Sequence, residues 1–293
     1  MTPDVSILIV NYNNGAVLPA CLRSLRQWTD AMRTEILIID NASTDGSVAR
    51  ISKEFPEVHW ILSDSNLGFG RANNIGATHA RGRYLFLLNP DTELRGPVTG
   101  LLTDLLDRVE NADVGCAGVA VVDESGREGV AAGNFPTPVT LLKELFPSRV
   151  FPHRLRAQAC ADGLLEVDYV SGADLFIPRR VFETSGGFDP DFFLFFEETE
   201  LQYRLARMGY RRVIFPGVNL MHLCGTPDHK VSSRKIELFE SSRLLFHEKC
   251  YGRLGGLWAR CWLVLFYGSR WLFGGPRHLA KGLQIALRGP APQ

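Results

Sequence analysis

Residues 84–94 read YLFLLNPDTEL, five apolar positions followed at once by Asn89, Pro90 and Asp91. An apolar run with no polar break is the pattern of a strand covered on both faces, as in a parallel sheet. A strand that stops on an amide, a proline and a carboxylate places Asp91 at the sheet's carboxyl edge. Open α/β sheets bind their ligands there.

Working upstream, the same alternation repeats. An apolar run at 5–10 precedes a helical spacing at 16–28, with Val17, Leu18, Cys21, Leu22, Leu25 and Trp28 on one face. A second strand at 35–39 leads to a helix at 43–55 opened by Ser, Thr and Asp. A third strand at 58–62 leads to a helix at 70–81. This order predicts an α/β fold with a doubly wound, mostly parallel sheet. Downstream, a helix is expected near 97–109 and a strand at 114–122. Residues 123–165, rich in Gly and Pro, predict a long irregular excursion with a short helix at 139–146, the pattern of a lid or binding loop. Strands are expected at 165–170, 174–178 and 212–215, with helices at 179–184 and 197–208.

Composition narrows the class. The 293 residues are 45% hydrophobic and 22% charged, with zero formal net charge, which marks a globular chain and argues against a nucleic-acid partner. Six cysteines without a C-x-x-C pair read as free thiols of a reducing cytosol. The apolar stretch at 5–10 is too short, and lacks the basic flank, for a secretory signal. From residue 249 to 293 there are seven Lys or Arg and no Asp or Glu.

Polar clusters follow four predicted strands: Asn11 and Asn13; Asp40, Asn41, Ser43 and Asp45; NLGFGRANN at 66–74; and Asn89 with Asp91. If the strands are parallel, these ends share one edge and converge. Each cluster has a plainer reading as turns and helix caps. GFGRANNIG at 68–76 approaches the dinucleotide fingerprint G-x-G-x-x-G, but Asn73 replaces the third glycine and the motif follows the third strand. A nicotinamide-dependent oxidoreductase is therefore an alternative, as is a non-catalytic sugar-nucleotide or glycan-binding module. Asp91 suits a divalent ion that bridges phosphates, since Mg²⁺ and Mn²⁺ prefer oxygen donors. Glu197 and Glu198 follow the phenylalanine-rich stretch 188–196 and open a helix. Apolar surroundings raise a carboxylate's pKa while a helix N-terminus lowers it, leaving a usable general base. Glu200 pairs naturally with Arg204 at i,i+4. His222 is either structural or a nitrogen ligand for manganese.

The ordered set VSILIVNYNNGAVLPACLRSL, ILIIDNASTDGS, NLGFGRANNIG, LNPDTEL, VSGADLFIPRRVFETSGGFDPDFFLFFEETELQYR and MHLCG resembles family 2 glycosyltransferases, most closely a bacterial rhamnosyltransferase branch. The resemblance spans residues 5–225. It implies a GT-A fold of Rossmann-like, mixed and mostly parallel sheet with flanking helices, divided into a nucleotide-binding half (1–110) and an acceptor-binding half (111–225). Residues 226–293 would form a C-terminal helical extension. It further implies inverting transfer of a sugar, rhamnose from dTDP-rhamnose, to a hydroxyl of a cell-surface glycan or its polyprenyl-linked precursor. On this reading Asp40 contacts the nucleotide base, with Asn11, Asn66, Gly70 and Asn73 nearby. Asn89-Pro90-Asp91 occupies the family's D-x-D position, so the charge falls on Asp91, joined at the Mg²⁺ or Mn²⁺ by His222. Glu198 is the expected base and Glu197 its acceptor-orienting neighbour.

The stretch LGGLWARCWLVLFYGSRWLFGG at 254–275 embeds Arg260 and Arg270 among Trp258, Trp262 and Trp271. It predicts a helix lying in a membrane interface rather than spanning it, on the inner face of the cytoplasmic membrane. The alternative is packing against the catalytic domain or a second subunit of a homodimer.

Overall fold

The computed structural model describes residues 2–30, 33–145, 155–160, 162–223, 232–272 and 279–288. The amino-terminal half follows the apolar runs: β1 (Val5–Asn11), α1 (Leu18–Trp28), β2 (Thr34–Asp40), α2 (Ser47–Glu54), β3 (His59–Leu62), α3 (Phe69–His79) and β4 (Tyr84–Leu88). These strands lie in the order β3-β2-β1-β4, all parallel, with Asn11 opposite Asp40 and Ile9 opposite Leu88. Their carboxyl ends therefore share one edge.

The chain continues with β5 (Thr92–Leu94), α4 (Val98–Leu106), β6 (Val114–Val122), β7 (Ala132–Gly133), α5 (Pro138–Glu144), β8 (Ala157–Ala159), β9 (Leu165–Val167), β10 (Tyr169–Val170) and β11 (Asp174–Pro178). It ends with α6 (Arg179–Thr184), α7 (Glu197–Arg207), β12 (Arg211–His222), α8 (Ser233–Leu272) and α9 (Leu279–Arg288). The sheet extends past β4 through β11, β6, β12, β9 and β8, with β5 also on β12 and a separate β7–β10 pair. The sheet is mixed, and its two longest ladders, β6–β12 and β1–β2, are parallel.

Side chains alternate across this sheet. Val5, Ile7 and Ile9 join a core with Leu18, Leu22 and Leu25 of α1, Ile51 of α2 and Leu102 of α4. Leu8 and Val10 join a second core with Ala72 of α3, Phe182 of α6 and Leu201 and Leu205 of α7. Burial on both faces explains the unbroken apolar runs. A third, smaller core packs Leu141 of α5 against Leu244, Trp262, Leu263 and Tyr267 of α8 and Ile285 of α9.

Three expectations are corrected. The helix expected from residue 43 begins at Ser47, because residues 41–46 form a turn with Ala42 at φ 63° and Gly46 at φ 71°. The strand expected at 212–215 continues as β12 to His222, its register with β6 shifting across 215–219. β5, three residues long, lies where no strand was expected.

The stretch 254–275 divides its aromatics. Trp262 is buried and donates through Nε1 to the Leu141 carbonyl, while Trp258 is partly exposed; the side chain of Trp271 lies outside the described residues. No helix among the described residues is long and apolar enough to cross a membrane. Cys21, Cys116, Cys160, Cys250 and Cys261 are free thiols, and Cys224 lies outside the described residues.

Candidate active site

The first cluster forms where β1 and β2 end together. Asn11 and Asp40 are both buried, and Asn11 Nδ2 donates to Asp40 Oδ1 at 2.7 Å, with Ser43 Oγ and Ser47 Oγ at 3.1 and 3.2 Å. The other Asp40 oxygen accepts the Ser43 N–H at 2.9 Å. Asn11 Oδ1, also buried, has no hydrogen-bond partner among the described residues. Asp45 takes the turn role, accepting from Gly15 N at 2.9 Å and Ser47 N at 3.0 Å.

Asn41 links this cluster to the loop before α3. Its Nδ2 donates to the Gly68 carbonyl at 3.0 Å, and its Oδ1 accepts from Leu67 N at 3.2 Å. Asn66 shapes that loop by accepting from Gly68 N at 3.0 Å. Gly68 has φ 83°, and a Cβ there would lie 2.1 Å from the Phe193 carbonyl oxygen. Only glycine fits this approach, which lets Phe69 N donate to that same oxygen at 3.0 Å. Asn74 further pins Phe188 through two hydrogen bonds of 2.8 and 2.9 Å. Gly70 sits at this seam, where a Cβ would be 3.0 Å from that of Phe188 and 3.6 Å from that of Glu197. Asn73 lies one turn inside α3, donating to the Phe69 carbonyl at 3.1 Å; its Oδ1 is buried without a partner among the described residues.

The segment 188–196 delivers the acid pair. Phe195 and Phe196 sit at φ 71° and 66°, so α7 opens from a left-handed residue. Among the described residues, the non-glycine residues at positive φ are these two, Asn13 and Ala42, all in loops around the carboxyl edge. Each costs on the order of 1–3 kcal/mol and persists only where surrounding structure enforces it. For Phe195 and Phe196, α8 supplies that enforcement. Ser242 Oγ donates to the Leu194 carbonyl at 2.8 Å, Lys249 pairs with Asp189 and Asp191 at 2.6 Å, and Phe239 packs on both strained phenylalanines.

Glu197 is buried and Glu198 half-buried. Burial pushes both carboxyls above the ordinary carboxylate range; the charge of Glu198 raises Glu197 further, whereas the N–H groups of residues 198 and 199 pull Glu198 partly back. Tyr169 is pushed up to about 12 by burial and by Glu198. Glu200 serves structure: it forms a two-oxygen pair with Arg204 at 2.7 and 2.8 Å, and Arg204 also donates to the Ser185 and Gly187 carbonyls.

The third cluster closes the ring. A Cβ on Gly172 would lie 3.4 Å from Glu198 Cγ, and the next residue, Ala173, accepts the Asn89 N–H at 3.0 Å. Asp91 does not cap α4, whose N-cap is Pro97. His222 Nε2 instead lies 3.2 Å from Asp91 Oδ1. The sheet makes that contact: β5 pairs antiparallel with β12, setting Thr92 opposite His222, and Leu223 N donates to the Asp91 carbonyl at 3.0 Å. Asn41 thus links the Asn11–Asp40 pair to the loop at Gly68, Gly70 and Gly172 lie against Glu197 and Glu198, and Ala173 beside Gly172 meets Asn89, two residues before Asp91.

The sequence reading placed Asn41 only within a polar cluster and gave Gly172 and Asp174 no role. Asp174, fully buried opposite Leu88, accepts from Val119 N at 2.7 Å, and burial holds its carboxyl well above the usual range. A carboxylate opening the strand-like run 174–178 was the available signal.

A mixed α/β sheet with amide and acid side chains gathered at the carboxyl edge of its parallel strands defines a ligand-binding α/β protein. The chain belongs to glycosyl transferase family 2, whose family model matches residues 6–158. It is 26% identical over 266 residues to the N-acetylglucosaminyl-diphospho-decaprenol L-rhamnosyltransferase of Mycobacterium tuberculosis, covering 85% of this chain and 83% of that one. Among solved structures, GalNAc-T7 with UDP, GalNAc and Mn²⁺ matches with a TM-score of 0.61 at 18% identity, covering 85% of this chain and 50% of that one. The mannosyltransferase PcManGT of Pyrobaculum calidifontis, in complex with GDP-Man and Mn²⁺, matches with a TM-score of 0.56 at 18% identity, covering 99% of this chain and 82% of that one. The fold is that of GT-A glycosyltransferases, with a C-terminal helical extension.

Proposed function

We propose that the protein is an inverting glycosyltransferase that moves rhamnose from dTDP-rhamnose to a hydroxyl of a cell-surface glycan or its polyprenyl-diphosphate-linked precursor. The observation that carries this reading is the gathering of the Asp40–Asn11, Glu197–Glu198 and Asp91–His222 pairs at one sheet edge, with the acid pair seated against Gly70 and Gly172. The similarity to a rhamnosyltransferase across 85% of the chain supports the choice of sugar and of a lipid-linked acceptor.

Asp40 and Asn11, with their hydrogen-bonding atoms fixed by Ser43 and Ser47, suit recognition of the nucleoside. Asp91 and His222 offer one carboxylate and one imidazole within 3.2 Å. No cluster of three His, Cys, Asp or Glu able to hold a metal occurs among the described residues; Asp91 and His222 would donate to a divalent ion of the kind that also takes phosphate oxygens as ligands. The imidazole favours Mn²⁺ over Mg²⁺. When bound, such an ion neutralises charge on the diphosphate leaving group.

The chain's own residues carry the proton. Glu198, ionised, takes the proton of the acceptor hydroxyl as that oxygen bonds to the anomeric carbon and the carbon–diphosphate bond breaks, inverting the centre. Buried Glu197 beside it orients the acceptor. The test is release of nucleoside diphosphate across a panel of sugar nucleotides, with and without Mn²⁺, in the presence of polyprenyl-diphosphate glycan. Fastest release with dTDP-rhamnose, dependent on Mn²⁺ and lost with chelator, is expected. Donor binding with no release under any condition would replace transfer by a binding module.

A further inference from the structure

We infer that the second half of α8 docks on an anionic lipid bilayer through the stripe Leu254, Leu257, Trp258, Cys261 and Leu265. α8 bends at Gly252, whose φ is 70°, so the portion from 253 onward is a helix of its own. The opposite face of this portion buries Ala259, Trp262, Leu263 and Tyr267 against α5 and α9. The stripe residues recur at intervals of three and four, which places them on one side of the helix. They lie open: Leu254 is 81%, Leu257 58%, Leu265 60% and Trp258 42% exposed. Trp258 keeps one bond to the fold, from Nε1 to the Pro138 carbonyl at 3.3 Å.

Charge selects the occupant. Arg253 and Arg260, two turns apart beside the stripe, make no hydrogen bond or ion pair among the described residues, unlike Arg26, Arg83, Arg204 and Arg211. With Leu257 and Glu248 they line a cavity of about 250 Å³. Glu248 is the last acid of the chain; the remaining 45 residues hold seven basic side chains and no acidic one. Leucine and tryptophan between arginines on a helix that does not span suit burial at the level of anionic headgroups. A two-fold contact through the same stripe would bring the arginines of two copies together, which argues against a second chain as the cover.

This inference goes beyond sugar transfer and does not rest on it, because it is read without turnover. The full chain is sedimented with phosphatidylcholine vesicles, with and without phosphatidylglycerol. Binding to the anionic vesicles, weakened by salt, is expected. The paired substitution Leu254→Asp with Leu257→Asp lowers the partition coefficient at least tenfold, and Arg253→Gln or Arg260→Gln lowers it about fivefold each. All are surface changes, and an unaltered unfolding midpoint verifies that each variant is folded. The inference is overturned if the wild-type chain does not sediment with anionic vesicles, or if the leucine pair leaves binding unchanged. It is equally overturned if light scattering shows a dimer that the leucine pair dissolves.

Discussion

Replacing Glu198 by glutamine tests the assignment of the base most directly. The substitution is nearly isosteric, so the packing of the side chain over Gly172, where an added Cβ would lie 3.4 Å from Cγ, is kept while the proton acceptor is lost. General-base catalysis contributes about 10²–10⁴ in rate, so turnover should fall by that factor, or roughly 3–5 kcal/mol in the barrier. Donor affinity should stay within about twofold, because the contacts around Asp40 and Asn11 involve neither oxygen of Glu198. Single-turnover rates and calorimetric donor titration separate the two quantities. The pH profile adds a second reading. A base acts deprotonated, so kcat/KM rises with pH through its pKa, and burial sets that inflection above the ordinary value of about 4.3. Glu197, held higher than Glu198 by burial and by the charge of Glu198, keeps its proton while Glu198 titrates, so Glu197→Gln should leave the acid limb nearly in place. Turnover of Glu198→Gln within tenfold of wild type, or a parallel loss of donor affinity, would refute the assignment.

Two further predictions concern the frame around the site. Buried Asp174 keeps its proton in the folded state to a higher pH than in the unfolded chain, so its stabilising contribution is complete below about pH 4 and declines as pH rises towards its folded pKa, by at most ~1.4 kcal/mol per unit. Asp174→Asn should remove that slope and be the more stable form at pH 8; urea midpoints from pH 4 to 8 that run parallel in the two proteins would sink the idea. Gly68→Ala should cost roughly 2–3 kcal/mol and most of the activity, since its Cβ would meet the Phe193 oxygen at 2.1 Å. Gly46→Ala, at φ 71° with nothing within 4 Å of the added carbon, should cost only about 1 kcal/mol, and equal losses in the two variants would show that contact with Phe193 is irrelevant.

β1, β2 and β4 were legible because burial on both faces leaves a continuous apolar run in the sequence, whereas β3 is a half-exposed edge strand that only its place in the alternation announced. The turn at 41–46 was not, because Ser, Thr and Asp signal helix caps and turns alike. Here the Asp40 and Asp45 carboxylates take up backbone N–H groups and delay α2 to Ser47. β5 escaped notice because three residues carry no period. β12 looked finished at Phe215, since Pro216 and Gly217 usually end a strand, yet pairing resumes from Asn219. The site residues themselves stood out one by one; what joins them did not. The Gly68–Phe193 and Gly172–Glu198 approaches unite segments far apart in the chain through glycines that carry no chemistry of their own.

The nearness of Asp91 to His222 is inherited from strand pairing. Three ladder positions, Leu94 with Leu220, Glu93 with Met221 and Thr92 with His222, decide whether imidazole meets carboxylate. A slip by one residue would turn the ring to the sheet's other side. The intervening excursion stands outside that ladder, its α5 packed on α8 and its β8 paired with β9. Asp91 and His222 keep facing each other whatever the length of chain between them, as long as β12 meets β5 in this register. One short ladder thereby uncouples the alignment of this pair from the distance in sequence between its members.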